Sequence, residues 1–168
     1  WGESGAGKTH LLKAFAAAGA PDARYVPARD FMDAAGARMY ALDDVESLTD
    51  EEQVSLFNAY NERSFDFLLV AARAAPRDVK LRRDLATRLA TGLTYRLLPL
   101  SDEEKGAALA AHARARGFAI PEEVTAYLLT HARRDMGSLI GALDCLDRYS
   151  LETGRPITIP LLKEAMQA

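Results

Sequence analysis

The eight residues Gly2-Glu3-Ser4-Gly5-Ala6-Gly7-Lys8-Thr9 constrain this chain more than any other feature, because they complete the pattern G-x-x-x-x-G-K-[ST] and run straight into a helical stretch. Glycines at 2, 5 and 7 let the backbone turn with its N–H groups facing inward. The N-terminus of the following helix adds partial positive charge at the same point, so the loop is built to cradle phosphate oxygens. In that pattern Lys8 neutralises the β- and γ-phosphates and the Thr9 hydroxyl ligates Mg2+, which makes ATP or ADP with Mg2+ the expected ligand. A loop of this kind follows a buried strand, yet only Trp1 precedes Gly2, so the first strand is expected to lie outside this sequence.

Apolar spacing organises the rest. Leu11, Leu12, Ala14, Phe15 and Ala18 recur at helical intervals up to Gly19. Ala23 to Val26 and Met39 to Leu42 read as buried parallel strands, the first closed by Pro27 and the second by Asp43-Asp44. Thr49 and Glu52 form a capping box opening a helix with Val54, Phe57 and Tyr60 inward; Phe65 to Val70 supplies another strand. A basic stretch from Arg73 to Arg83, a short helix around Leu85 to Leu89 and a last strand at Thr94 to Leu98 follow. Alternating strands and helices predict an α/β unit with a parallel sheet over residues 1–99.

From Ser101 the pattern changes. Ser101 and Glu104 make a second capping box, and strand signals give way to amphipathic helices. They are marked by Leu109 and Ala113, then Val124, Tyr127 and Leu128, then Met136, Leu139, Ile140, Leu143 and Leu146, then Leu161, Leu162, Ala165 and Met166. Residues 100–168 are therefore expected to form a small all-α unit.

Further candidate residues follow from position. Asp43 ends a strand, where a carboxylate can hold Mg2+ opposite Thr9, and Asp44 beside it can orient an attacking water, although two acids ending a strand are also ordinary turn chemistry. Glu46 reads as a solvated acid. Arg88 closes a short helix before a strand, where it can project into a neighbouring subunit's nucleotide. His10, His112 and His131 show no metal-ligand spacing with Cys145 or with one another.

Composition narrows the function classes. A formal net charge of -3 gives no global basic field, so strong direct DNA binding is not expected. The single cysteine, Cys145, lies among apolar residues as a buried thiol would, which excludes an internal disulfide and fits a reducing cytoplasm. No run approaches the roughly 18 apolar residues of a membrane span.

Taken together, the phosphate loop, the Asp-Asp strand, the apolar strand ending at Val70, the segment Asp84-Leu85-Ala86-Thr87-Arg88-Leu89 and the helical unit resemble an AAA+ ATPase of the bacterial replication-initiator DnaA group. Residues 90–95, 98–105, 116–118 and 143–150 look most like the Hda family of that group, regulatory inactivators of DnaA. The resemblance implies a P-loop AAA+ module followed by a helical lid, with Lys8 and Thr9 as Walker A, Asp43 and Asp44 as Walker B and Arg88 as the arginine finger. It also implies DnaA as partner, the DNA sliding clamp as a second partner through an N-terminal peptide absent here, and AAA+ homo-oligomers. Two positions depart from the family pattern. Arg73 stands where sensor I is usually an acid, and Gly137 stands where sensor II is an arginine that Arg133 or Arg134 would have to replace. The chain is also short for the family between Phe31 and Met39 and between Arg63 and Phe67, as omission of loops would make it.

The leading expectation is a nucleotide-bound AAA+ regulator that promotes hydrolysis of DnaA-bound ATP in trans while showing weak intrinsic ATPase at most. The alternatives are the ATPase module of a DnaA-type origin-binding initiator or helicase loader, and a P-loop scaffold that does not hydrolyse.

Overall fold

The structure, a computed structural model, describes residues 1–34, 36–133 and 135–166. Helix α1 (Lys8–Ala18) rises directly from the glycine loop and stops at Gly19, whose N–H returns to the Phe15 carbonyl. Strands β1 (Ala23–Pro27), β2 (Met39–Asp43) and β3 (Phe67–Val70) make a parallel sheet in that order. Helix α2 (Asp50–Asn61) connects β2 to β3, and helix α3 (Arg83–Ala90) follows β3. A small parallel sheet with flanking helices is the α/β class expected from the sequence.

Successive residues of a strand face opposite sides of its sheet, and here the two sides carry different loads. Ala41, Leu69 and Ala71 face one way and gather with Leu12 and Phe15 of α1, together with Tyr25. Val26, Tyr40, Leu42, Leu68 and Val70 face the other way, into a larger core with Val45, Leu48, Leu56 and Leu85. The in-register pairs Tyr25↔Ala41 and Pro27↔Asp43 therefore put Tyr25 and Asp43 on the α1 side. Both short connections noted above close by hydrogen bonds. Tyr40 donates its hydroxyl to the Ala34 carbonyl at 2.6 Å and accepts from Ala37 N–H, and Asp66 N–H reaches the Arg38 carbonyl at 2.7 Å.

Two expectations are corrected in this unit. Thr94 to Leu98 forms no strand; its pairing is a single parallel bridge between Gly2 and Leu97, with Leu97 N–H donating to the Trp1 carbonyl at 2.7 Å. On α2, Val54 is exposed and the buried positions are Gln53 and Leu56. The capping box, with Glu52 N–H to Thr49 Oγ1 at 3.3 Å and Thr49 N–H to Glu52 Oε2 at 2.7 Å, sets a helical phase that turns Leu56 inward.

Two compact units divide the chain, Trp1–Pro99 and Leu100–Ala168. The second consists, among the described residues, of helices α4 (Asp102–Ala115), α5 (Glu122–His131), α6 (Met136–Thr153) and α7 (Ile159–Ala165). Ser101 and Glu104 cap α4 reciprocally, Asp135 Oδ1 accepts Ser138 N–H at 2.8 Å at the head of α6, and Thr158 caps α7. Its core is built from Leu109, Val124, Leu128, Leu139, Leu143, Leu146, Leu161 and Leu162, all fully buried. Met166 points outward, and Cys145 is half-buried, with its thiol donating to the Ala165 carbonyl at 3.4 Å. Asp147 is the buried acid of this unit; Arg116 reaches it at 3.3 Å and also bonds Asp144 Oδ1 at 3.0 Å, the oxygen that His112 contacts at 2.8 Å. No helix among the described residues is long and apolar enough to cross a membrane.

Candidate nucleotide-binding site

The glycine loop has the backbone that its residue types permit. Gly5 and Gly7 take φ of 80° and 88°, a left-handed region costly for any residue with a Cβ, and Gly7 launches α1 from there. Gly2 serves a different need: a Cβ on it would lie 2.5 Å from the Leu97 carbonyl oxygen. Glu3, Ser4 and Ala6 complete the turn, closed by Ala6 N–H to the Glu3 carbonyl at 3.2 Å. Gly2 N–H donates to the Ala72 carbonyl at 3.1 Å, which anchors the loop beside the end of β3.

Lys8 is only 9% exposed. Its ammonium donates to the carbonyls of Gly2 and Glu3 at 2.8 and 2.9 Å, across the mouth of the loop. An ammonium has three donors, so a further one is available to an anion within the loop's ring of N–H groups. Thr9, one residue on, donates its hydroxyl to Asp43 Oδ2 at 2.5 Å. Asp43 is 5% exposed, and its other oxygen accepts Asp44 N–H at 3.1 Å. A hydroxyl and a carboxylate converging at the C-terminal end of a parallel strand form an all-oxygen donor set suited to a hard cation such as Mg2+. Among the described residues no group of three or more His, Cys, Asp or Glu could hold a metal by itself. The pair thus fits a cation that takes its remaining ligands from phosphate and water, the usual habit of Mg2+.

Asp44 is exposed and holds φ 53° and ψ 54°, a left-handed conformation uncommon for a non-glycine residue. This backbone sends the chain into a 3-10 turn, Val45–Ser47, and returns Glu46 toward the segment after β3. Glu46 is therefore not the solvated acid expected from the sequence: its Oε1 accepts Arg73 N–H at 3.0 Å and lies 3.5 Å from Arg73 Nε, and its Oε2 is buried without a hydrogen-bond partner among the described residues. Arg73, the residue at the sensor I place, is thereby tied to the turn that follows Asp43.

Arg88 is carried by α3. It is exposed in the last turn of α3, beside a shallow recess lined by Phe57, Arg82, Arg83, Asp84 and Thr87. Among the described residues its guanidinium makes no hydrogen bond or ion pair, whereas Arg82 is paired with Asp84 at 3.0 Å. That guanidinium and the Leu85 N–H hold the Asp84 carboxyl below the usual carboxylate range. The buried Gln53 fixes the head of α3: its amide donates to the Leu48 carbonyl at 3.0 Å and accepts Arg82 N–H at 2.7 Å.

The structure joins Thr9 to Asp43 directly and places Lys8 and Asp44 as their chain neighbours, and Lys8 and Arg88 line one cavity of the α/β unit. Gly137 lies in the first turn of α6, and Arg133 is exposed with Asp135 at 3.7 Å; Arg134 lies outside the described residues. Tyr25, whose hydroxyl donates to Asp43 Oδ2 at 3.1 Å, and Gln53 carried no sequence signal.

Comparison with known proteins now adds to this geometry. Residues 102–166 match the family model described as "Hda, lid domain". The helical unit is thus similar to the lid domain of Hda. The chain as a whole has the AAA+ fold of DnaA. It superposes on domain III of the Thermotoga maritima replication initiation protein DnaA with a TM-score of 0.82 at 21% identity, covering 99% of this chain and 81% of that one. AMPPCP-bound DnaA from Aquifex aeolicus gives 0.69 at 20% identity, covering 88% of this chain and 54% of that one. The RuvB Holliday junction branch migration motor of Thermotoga maritima gives 0.68 at 16% identity, covering 99% and 59%. The chain thus spans little more than half the length of the Aquifex DnaA and the RuvB it matches. The Hda-lid-like unit follows an α/β unit that begins with the glycine loop and ends just after the Arg88 helix.

Proposed function

We propose that this DnaA-related AAA+ module binds ATP or ADP with Mg2+ and acts as an Hda-like regulator that promotes hydrolysis of DnaA-bound ATP. The observation that carries the reading is the exposed Arg88 guanidinium, unpaired among the described residues, on a chain whose second unit matches the Hda lid family. An arginine is always charged and offers a rigid fork of donors. Presented to a nucleotide held by DnaA, it stabilises the negative charge that builds on the transferring phosphoryl group, an effect worth about 10³ to 10⁵ in rate in trans-acting arginine fingers.

The module's own nucleotide is held by the loop N–H groups and Lys8, with Thr9 and Asp43 turned to the cation and Asp44 facing the attacking water. Bound Mg2+ supplies charge neutralisation to the β- and γ-phosphates. Intrinsic turnover is low in this reading, because the sensor I place holds an arginine already paired with Glu46 and the sensor II place holds Gly137. The same pairing is what favours the second reading, a scaffold that binds nucleotide and does not hydrolyse. Contact with the sliding clamp, through a segment outside this sequence, and AAA+ self-association belong to the proposal.

The test measures hydrolysis by ATP-loaded DnaA with clamp on DNA, with and without the full-length protein, beside hydrolysis by the protein alone. Stimulation with negligible intrinsic turnover is expected. Strong intrinsic turnover without effect on DnaA would overturn the regulator reading, and neither activity together with intact nucleotide binding would leave the scaffold.

A further inference from the structure

We propose that Tyr25 is a positioning residue for the Asp43 carboxylate and sets how readily the Thr9–Asp43 pair takes up a divalent cation with bound nucleotide. The inference rests on the nucleotide-binding reading above and assigns a role to a residue on β1 that belongs to neither the phosphate loop nor the Asp-Asp strand end.

Three donors converge on Asp43. Oδ2 accepts the hydroxyls of Thr9 at 2.5 Å and Tyr25 at 3.1 Å, and Oδ1 accepts Asp44 N–H at 3.1 Å. They come from three parts of the fold, namely α1, β1 and the turn after β2, so together they fix both the position and the plane of the carboxylate. Of the two hydroxyls, that of Thr9 has a second duty as a cation ligand on the phosphate loop. Tyr25 stands outside the loop and reaches Asp43 from β1. Outer partners of this kind hold a metal-binding carboxylate in its productive orientation.

The sheet register explains how the phenol reaches Asp43. Tyr25 pairs with Ala41, two residues before Asp43 on the same face, and Ala41 has no side chain beyond its Cβ to block the ring's path. The ring packs with the Leu12, Ala41 and Ala71 cluster, and Lys13 Nζ of α1 lies 5.2 Å from its centroid.

Tyr25→Phe removes the hydroxyl and keeps the ring. In the full-length protein, binding of N-methylanthraniloyl-ADP followed by fluorescence in EDTA and across a Mg2+ titration separates the two contributions. The variant is expected to bind this nucleotide in EDTA as the native protein does, and to need about 10-fold more Mg2+ for half-maximal enhancement. Tyr40→Phe is the control, since its hydroxyl ties Ala34 and Ala37 on the opposite face of the sheet; it is expected to leave the Mg2+ requirement unmoved. An unchanged Mg2+ requirement in folded Tyr25→Phe, an equal loss with and without Mg2+, or the same shift in Tyr40→Phe would each overturn the proposal. Absence of nucleotide binding by the native protein at every Mg2+ concentration would instead remove the nucleotide reading on which it rests.

Discussion

The two units of this chain put their irregularities in opposite places. Residues 1–99 bury Lys8, Asp43 and Gln53 and hold Asp44 in a left-handed conformation, and these groups mark the glycine loop, the end of β2 and the head of α3. Residues 100–168 bury a continuous set of leucines and one acid, Asp147, which Arg116 neutralises. Buried polar groups cost stability unless they are hydrogen-bonded. The first unit accepts that cost where phosphate and cation chemistry is proposed, and the second unit carries its polar groups mainly as helix caps and as the His112, Arg116, Asp144 network. The family model matches the second unit, where side chains specify packing; the first unit shares its loop with every P-loop protein.

The largest expected effects separate the units by readout. Arg88→Ala is expected to reduce stimulation of DnaA-bound ATP hydrolysis by about 10³-fold or more. It should leave the unfolding midpoint within about 0.5 kcal/mol of the native value, as for surface changes remote from caps and cores. Normal stimulation by the variant would place the trans-acting charge elsewhere and break the functional side of the comparison. Leu143→Ala, in the middle of α6 with no exposure, is expected to cost about 2–5 kcal/mol in urea unfolding, as other buried leucine truncations do. A cost under about 1 kcal/mol would show that the lid core is loosely packed.

How much of this was readable beforehand depends on whether the determining contact is local. The capping boxes at Thr49 and Ser101 lie within four consecutive residues, and both form with reciprocal bonds. The glycine loop is local too, and its positive φ at Gly5 and Gly7 follows from the residue type. Tyr25 was invisible because its partner lies 18 residues away and the contact exists only through the register of β1 on β2. Glu46 was misjudged because the left-handed backbone of Asp44 redirects the next turn, and nothing in the residue types announces that conformation. Thr94 to Leu98 has the apolar content of a strand and makes one parallel bridge, from Leu97 to Gly2. Helical phase on α2 failed at Val54 because Gln53, a polar residue, occupies a buried position where it bridges Leu48 and Arg82.

A middle-sized prediction tests whether one local device has equal worth in both units. Thr49→Ala and Ser101→Ala each remove the hydroxyl that accepts the third-residue N–H of α2 and α4. Each is expected to cost about 1 kcal/mol. Differential scanning calorimetry of the two variants against the native protein checks it. A cost confined to one of them would mean that the other helix is held by tertiary packing alone.

The smallest expected effect is a difference in acid sensitivity. Glu104, Asp135 and Glu164 in the second unit all titrate below the usual carboxylate range. Glu104 does so because Ser101 donates to it through its backbone N–H, Asp135 because Ser138 does the same, and Glu164 because of the paired Arg155 guanidinium. In the first unit Asp84 is lowered in the same sense, chiefly by Arg82. A carboxylate whose pKa is lowered on folding binds fewer protons in the native state than in the unfolded chain. Its stabilisation is therefore complete above the unfolded values, 3.8 for Asp and 4.5 for Glu, and is lost as pH falls through the lower native ones. All four groups are solvent-exposed, so each contribution is small and screened by salt. Three of the four lie in the helical unit, at the head of α4, the head of α6 and along α7. Amide exchange or NMR line positions followed from pH 5 to pH 3 are expected to show the first turns of α4 and α6 loosening before the sheet does. Earlier loss of protection in β1 and β2 would mean that the sheet, not the helix caps, sets the acid limit of the chain.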